Sequence, residues 1–278
     1  MPELPEVETV CRGLVQILQG YQINKVELHR LDLRYPFPPL MNERLQGTKI
    51  IEIERRAKYI LMHTDSGYTW LIHLGMSGRI HELTTAAMPG KHDHVVIHLQ
   101  DGRRIAYNDP RRFGYMDLLP RSSIHQSIHL RNLGFEPLAF HLTAEIFYGL
   151  LSKAKRPIKT TLLDQRLVVG LGNIYVCEAL WQSKIHPEEN ACNLTKEQAE
   201  ILLESAREIL QKAIKAGGST LKDYRQVNGE LGYFQHTFSV YDREAGACQR
   251  LSCNGTIKRI SQSGRSTFYC PNCQRRQS

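Results

Sequence analysis

The chain begins MPELPEVETV, with a proline at position 2 and a glutamate at position 3. An initiator methionine is normally trimmed ahead of proline, and removal of Met1 leaves Pro2 with a free secondary amine. At a reference pKa near 8, roughly a tenth of such amines are unprotonated at pH 7, against under about 0.1% of ordinary lysines. A terminal amine is therefore a ready nucleophile toward an aldehyde carbon, and Glu3 beside it can shuttle protons. The same residues can also be a helix start and nothing more, because a proline in the first helical turn loses no hydrogen bond.

A second cluster closes the chain: Cys248-x4-Cys253-x16-Cys270-x2-Cys273. Two close pairs of thiols suit a tetrahedral Zn2+, each pair supplying one edge of the tetrahedron from a tight turn. The bland reading is four buried free thiols. Few apolar side chains accompany these cysteines, so the segment needs a metal to fold. TFYC, between the pairs, predicts a strand and hence a zinc-stapled β-hairpin, with Arg265 at the Ser-Gly-Arg turn projecting from its tip.

Weaker signals lie between the ends. GLGN, residues 170–173, can offer backbone N–H groups to a phosphate at a helix start, with Lys155, Arg156 and Lys159 just upstream; a lone G-x-G is a weak signal, and a simple packing turn is the first reading of it. KHDH, residues 91–94, is expected to set His92 and His94 on one face of a strand, as metal ligands, as phosphate-backbone contacts or as plain structure.

The elements that must position these groups can be read from periodicity. Val7, Val10, Cys11, Leu14, Val15 and Leu18 fall at helical spacing before Gly20, and Glu6 and Glu8 suit the positive end of the dipole. From about 22 to 120 the pattern is β: Val95, Ile97 and Leu99 alternate ahead of Asp101-Gly102, and Asp65-Ser66-Gly67 separates YILMHT from YTWLIHL. After about 130 it turns helical, with Thr143 as a cap and Thr195 with Gln198 as a capping box. A polar, glycine-rich stretch near 217–232 leads into the tail. The predicted fold class is α+β: an antiparallel β-sandwich, a helical domain and a zinc-stapled hairpin.

At 278 residues and 41% hydrophobic content, the chain can bury about two cores. Its formal charge of +8 and pI near 9.1, with basic pairs at 55–56, 103–104, 111–112 and 275–276, favour a polyanionic partner. Seven cysteines, an odd number with no export signal, argue against a disulfide framework. No run of about 18 apolar residues occurs, so a cytoplasmic protein without a membrane partner is expected.

Taken in order, MPELPEVET, RRAKYI (55–60), HLGMSG (73–78), KHDHV (91–95), DPRRFG (109–114), VVGLGNIY (168–175) and the cysteine tail resemble the bacterial formamidopyrimidine-DNA glycosylases over essentially the whole chain. The resemblance implies a bifunctional repair enzyme that excises 8-oxoguanine and formamidopyrimidines from duplex DNA and then cleaves the abasic strand. It implies an N-terminal β-sandwich (1–130), a helix-two-turn-helix domain (131–237) and a zinc finger (238–278). Carried over by motif, Pro2 is the nucleophile at deoxyribose C1′, Glu3 the proton carrier at the opened sugar, Lys58 a general acid near the phosphate, and Arg265 the group serving the second elimination. Met76, Arg111 and Phe113 match residues inserted where the flipped nucleotide was. His92, Arg111, Lys155 and Asn173 match contacts to the DNA backbone. The 217–237 loop is implied to cover the extruded base. A monomer at the bacterial nucleoid, with one structural Zn2+ and no small-molecule cofactor, is implied as well.

One feature departs from the family pattern: the first cysteine pair is C-x4-C where C-x2-C is usual, which bears on how Arg265 is held. The sister family of oxidised-pyrimidine glycosylases, endonuclease VIII, typically opens PEGPE, whereas this chain reads PELPE. Small tautomerases also use an N-terminal proline, but they are far shorter and have no zinc tail. A non-catalytic zinc-bearing lesion-binding protein would not need Pro2, Glu3 and Lys58 together.

Overall fold

A computed structural model of the chain describes residues 1–84, 87–220 and 224–276. These form two compact units: Met1–Arg131 with Ile214–Gln235, and Asn132–Ala213 with His236–Ser278.

The first unit opens with helix α1 (Leu4–Leu18), which places Val7, Val10, Cys11, Leu14 and Leu18 in the core. Val15, expected on that face, is instead 38% exposed. There follow β1 (Ile23–Leu28), α2 (Met41–Leu45), β2 (Ile50–Arg56), β3 (Tyr59–Thr64), β4 (Tyr68–His73), β5 (Arg79–Leu83), β6 (Asp93–Leu99), β7 (Arg104–Asn108) and β8 (Tyr115–Pro120). They build two four-stranded antiparallel sheets, β1-β6-β7-β5 and β2-β3-β4-β8. The core joins residues from both sheets, among them Trp70, Ile72, Val95 and Ile105, with the apolar stripe of α1. The sandwich read from the alternation is present, and both expected turns, at 65–67 and 101–102, connect adjacent strands.

KHDH folds differently from its expected form. β6 begins at Asp93, so His92 lies in the preceding turn, and the two imidazoles stand 6.1 Å apart at 76°. A register shift between Asp93 and Val95 breaks the alternation, and a bulge of this kind re-aims a side chain. His94 is buried with Nε2 bonded to the Asp109 carbonyl, 2.9 Å.

Residues 214–235 also depart from the expected grouping, which set them with the helices. The described ones, 214–220 and 224–235, pack into the first unit, where Tyr224 and Val227 join its core. The Tyr224 hydroxyl donates to the Gly217 carbonyl at 3.1 Å.

The second unit contains α3 (Ala144–Leu151), α4 (Ile158–Leu162), α5 (Asn173–Gln182), all but the last two residues of α6 (Lys196–Lys215), and the hairpin β9 (Lys258–Gln262) and β10 (Arg265–Tyr269). Both predicted caps form: the Thr143 hydroxyl accepts the Ile146 N–H, and Thr195 and Gln198 exchange bonds of 2.9 and 3.2 Å. Buried polar groups fasten the tail to the helices. The Glu178 carboxylate accepts N–H groups of Ser239, Val240 and Tyr241 at 2.8–3.0 Å. The fully buried Lys159 amine donates to the Ser266 carbonyl and the Thr267 hydroxyl. Losing one partner of such a bond costs about 1–3 kcal/mol, more for a charged group. Among the described residues no helix is long and apolar enough to cross a membrane.

Candidate active site and metal centre

The start of α1 is built around a carboxylate that the sequence marked only as a dipole partner. Glu3 is the N-cap and forms a capping box with Glu6. One Glu6 oxygen accepts the Glu3 N–H at 2.8 Å; the other accepts the Ser219 N–H, also at 2.8 Å. Glu6 is 2% exposed and Glu3 3%. Gly218 lies at φ +81, and a Cβ there would stand 3.1 Å from Glu6 Oε1. The turn at 217–219 is thus held against the residues that follow Pro2, which is itself buried. The E-x-x-E spacing of Glu3 and Glu6 was the available signal.

Lys58 sits in the two-residue turn between β2 and β3, where Arg56 pairs with Tyr59. Its neighbour Ala57 takes φ +53, in the left-handed region, a conformation costing a non-glycine residue about 1–2 kcal/mol. The turn is tied to α1 through Arg55, whose Nε reaches Glu8 at 2.9 Å and whose Nη1 reaches the Ala57 carbonyl at 3.0 Å. His73, at the end of β4, has its pKa pulled down to about 4 by burial and by the positive charges of Lys58, Arg34 and His129. Its neutral ring accepts the Gly75 N–H at Nδ1, 3.0 Å, and stacks on Tyr115. His73 therefore touches the base of the loop that carries Met76, a link that no spacing in the sequence revealed.

Met76, Arg111 and Phe113 are brought together on two clasped loops. Ser77 donates to Asp109 and accepts the Arg111 N–H, while Asp109 accepts the Gly114 N–H at 2.8 Å. A Cβ on Gly75 would lie 2.3 Å from Phe113 and Gly114 backbone, so no other residue permits this approach. The Arg111 guanidinium stands 4.9 Å over the Phe113 ring, and Phe113 is 45% exposed. Leu33, Arg34, Arg111, Arg112 and Phe113 line a hollow of about 480 Å³, whose guanidinium groups suit phosphate. His92 is partly buried in its turn, and its carbonyl accepts the Asp109 N–H at 3.0 Å, which ties that turn to the foot of the Arg111 loop.

The remaining predicted residues belong to the second unit. Lys155 is exposed in a hollow of about 560 Å³ also lined by Lys153, Arg156 and Arg166, in which Asp164 pairs with both arginines. Those guanidinium groups hold the Asp164 carboxyl well below the usual carboxylate range. Asn173 opens α5 and donates to the Ser266 carbonyl at 2.8 Å, which places it beside Arg265. Arg265 is exposed at the first residue of β10, after the Ser263-Gly264 turn.

Three family models match in succession: formamidopyrimidine-DNA glycosylase N-terminal domain over residues 1–116, its H2TH domain over 133–225, and the zinc finger found in FPG and IleRS over 247–276. The chain belongs to the formamidopyrimidine-DNA glycosylase family. The formamidopyrimidine-DNA glycosylase of Rhizobium etli is 49% identical, covering 99% of this chain and all of the relative. The MutM (FPG) protein of Thermus thermophilus superposes with a TM-score of 0.88 at 37% identity, covering both chains fully. The Lactococcus lactis Fpg, solved with abasic-site DNA, superposes with a TM-score of 0.90 at 36% identity, over 99% of this chain and 100% of its own.

In this family member the tail fits one structural Zn2+. The Sγ atoms of Cys248, Cys253, Cys270 and Cys273 all lie within 4.8 Å of one another. Zinc–sulfur bonds of about 2.3 Å in a tetrahedron require sulfurs about 3.8 Å apart. Cys248 and Cys273 are separated by 3.8 Å, Cys253 and Cys270 by 3.7 Å, and Cys253 and Cys273 by 3.2 Å. The C-x4-C pair thus reaches the same centre as the C-x2-C pair. Around it, among the described residues, Cys177, Val240, Ile257 and Phe268 form a small apolar cluster with Trp181 and Tyr241 packed alongside, consistent with a metal that contributes folding energy.

Proposed function

We propose that this DNA repair glycosylase removes oxidised purines, 8-oxoguanine and formamidopyrimidines, from damaged duplex DNA and then cuts the strand as an abasic-site lyase. With Met1 removed, the Pro2 nitrogen attacks C1′ of the extruded nucleotide, and the glycosidic electron pair leaves with the base. Glu3 hands a proton to O4′ as the sugar ring opens, which leaves an iminium at C1′. The iminium acidifies the C2′ protons; loss of one expels the 3′ phosphate, and a second elimination expels the 5′ phosphate. Lys58 acts as a general acid near the phosphate, and Arg265 serves the second elimination. Met76, Arg111 and Phe113 fill the vacated stack, while His92, Arg111, Lys155 and Asn173 hold the backbone. The bound Zn2+ supplies only structure, keeping the hairpin of Arg265 folded. The enzyme acts as a monomer at the nucleoid. The 217–237 loop covers the base; its residues 221–223 lie outside the described residues.

The observation that carries this reading is the carboxylate pair at the head of α1, where Glu6 ties the Glu3 N–H to the Ser219 N–H directly after Pro2. A plain helix start needs no buried link to residue 219. Borohydride trapping tests it: the mature protein should become covalently locked to a duplex bearing one 8-oxoguanine, and Glu3→Gln should bind that duplex without excising the base. A protein that turns over with no trapped species, or one that works with Met1 retained by mass, refutes the proline mechanism.

A further inference from the structure

The four residues between Cys248 and Cys253 do more than widen a turn. Arg250, the second of them, sends its Nη2 to the carbonyls of Trp181 and Gln182, at 2.7 and 3.3 Å. These are the last residues of α5; the Trp181 carbonyl also accepts the Lys184 N–H at 3.1 Å, so Arg250 adds a second donor to the end of the helix. A cation there also meets the negative end of the dipole. The same guanidinium lies 4.6 Å over the Trp181 ring, and the Trp181 indole N–H points at Cys248 Sγ, 3.4 Å away. At its other end α5 presents Asn173 to the Ser266 carbonyl, next to Arg265. The tail therefore grips one ten-residue helix at both ends.

The geometry points to Arg250 and Trp181 as positioning residues of the zinc module: Arg250 latches the wide knuckle onto the C-terminal end of α5, and Trp181 aims the Cys248 thiolate at the metal. Arg250 Nε finds no acceptor among the described residues, so one nitrogen and the ring face hold the guanidinium. A lysine can reproduce much of that hold. Leu251, next in the chain, is 94% exposed and takes no part. The role in placing Arg265 rests on the lyase reading above; the role in holding zinc does not.

The test uses full-length zinc-loaded protein. Zinc transfer to excess chelator is followed with a coloured indicator, and affinity is measured on a duplex carrying an unreactive abasic analogue. Arg250→Ala should release zinc roughly tenfold faster or more, the scale on which metal affinity falls when groups behind metal ligands are lost, and should weaken DNA binding. Arg250→Lys should recover most of both, and Leu251→Ala should match the parent. Trp181→Phe keeps the packing but loses the N–H, and it should also speed release. Because both contacts hold the same knuckle and the guanidinium rests on the Trp181 ring, the double variant should fall short of the product of the single effects. Release by Arg250→Ala within about twofold of the parent, against the tenfold scale of such groups, overturns the proposal. So does equal acceleration by Leu251→Ala or failure of Arg250→Lys to rescue. Should Arg250→Ala not fold, Trp181→Phe decides: unchanged release overturns the proposal. Failure of borohydride trapping with the zinc results intact would remove the imine mechanism alone.

Discussion

Glu6 has both carboxylate oxygens committed to backbone N–H groups, one three residues before it at Glu3 and one 213 residues after it at Ser219. A neutral glutamine of the same shape has one oxygen and one NH2, so one of the two donors would face another donor. With the site 2% exposed, that mismatch should cost about 1–3 kcal/mol. Glu6→Gln should therefore melt several degrees lower and trap DNA more slowly, while Glu8→Gln, at a residue 23% exposed in its side chain, should lose far less. Equal melting of the Glu6 variant and the parent by calorimetry would contradict the bridging role. Legibility differed between neighbouring residues here: Pro2 and Glu3 stand out by type and position, whereas Glu6 reads as an ordinary first-turn acid because its second partner is remote.

At the scale of elements, the hairpin of Lys58 and the loop of Met76 meet through His73. Its pKa in the folded protein is about 4, against about 6.5 unfolded. Between those values the unfolded chain binds more protons, so stability is full above about pH 6.5 and is lost as pH falls toward 4. At pH 5 the loss attributable to this ring is at most about 2 kcal/mol, one unit of pKa difference being about 1.4. Urea unfolding at pH 7 and pH 5 should show a larger drop for the parent than for His73→Gln, which has no charge to gain and can still accept the Gly75 N–H. Identical drops would remove His73 as a source of acid sensitivity. Strands and caps were legible because periodicity and capping are local; Val15 and His92 were misplaced because side-chain exposure and a β-bulge depend on what packs alongside.

For the molecule as a whole, zinc and salt are the informative variables. The four thiols gather within 4.8 Å around a small apolar cluster, and structural zinc contributes on the order of 10 kcal/mol of folding energy in such modules. Chelation should therefore unfold the tail and abolish DNA binding, while the first unit, with its own extensive core, keeps a cooperative melting transition. Retained affinity after verified metal loss would make the tail dispensable. The net charge of +8, with basic hollows at Arg111 and Lys155, predicts that log K falls with log salt by about 0.9 per phosphate neutralised; a flat response would contradict backbone contacts.

The order of motifs, the cysteine spacing and the two periodicities were enough to assign this chain its family, its architecture and its metal, since each rests on residues near one another in sequence. Tertiary structure alone decided that 214–235 return to the first unit, that Glu6 bridges to Ser219, that Ala57 is held in a left-handed turn beside Lys58, and that Arg250 caps α5. Each of those is a contact between segments far apart in the chain or a backbone state imposed by packing, and neither leaves a period or a spacing to read.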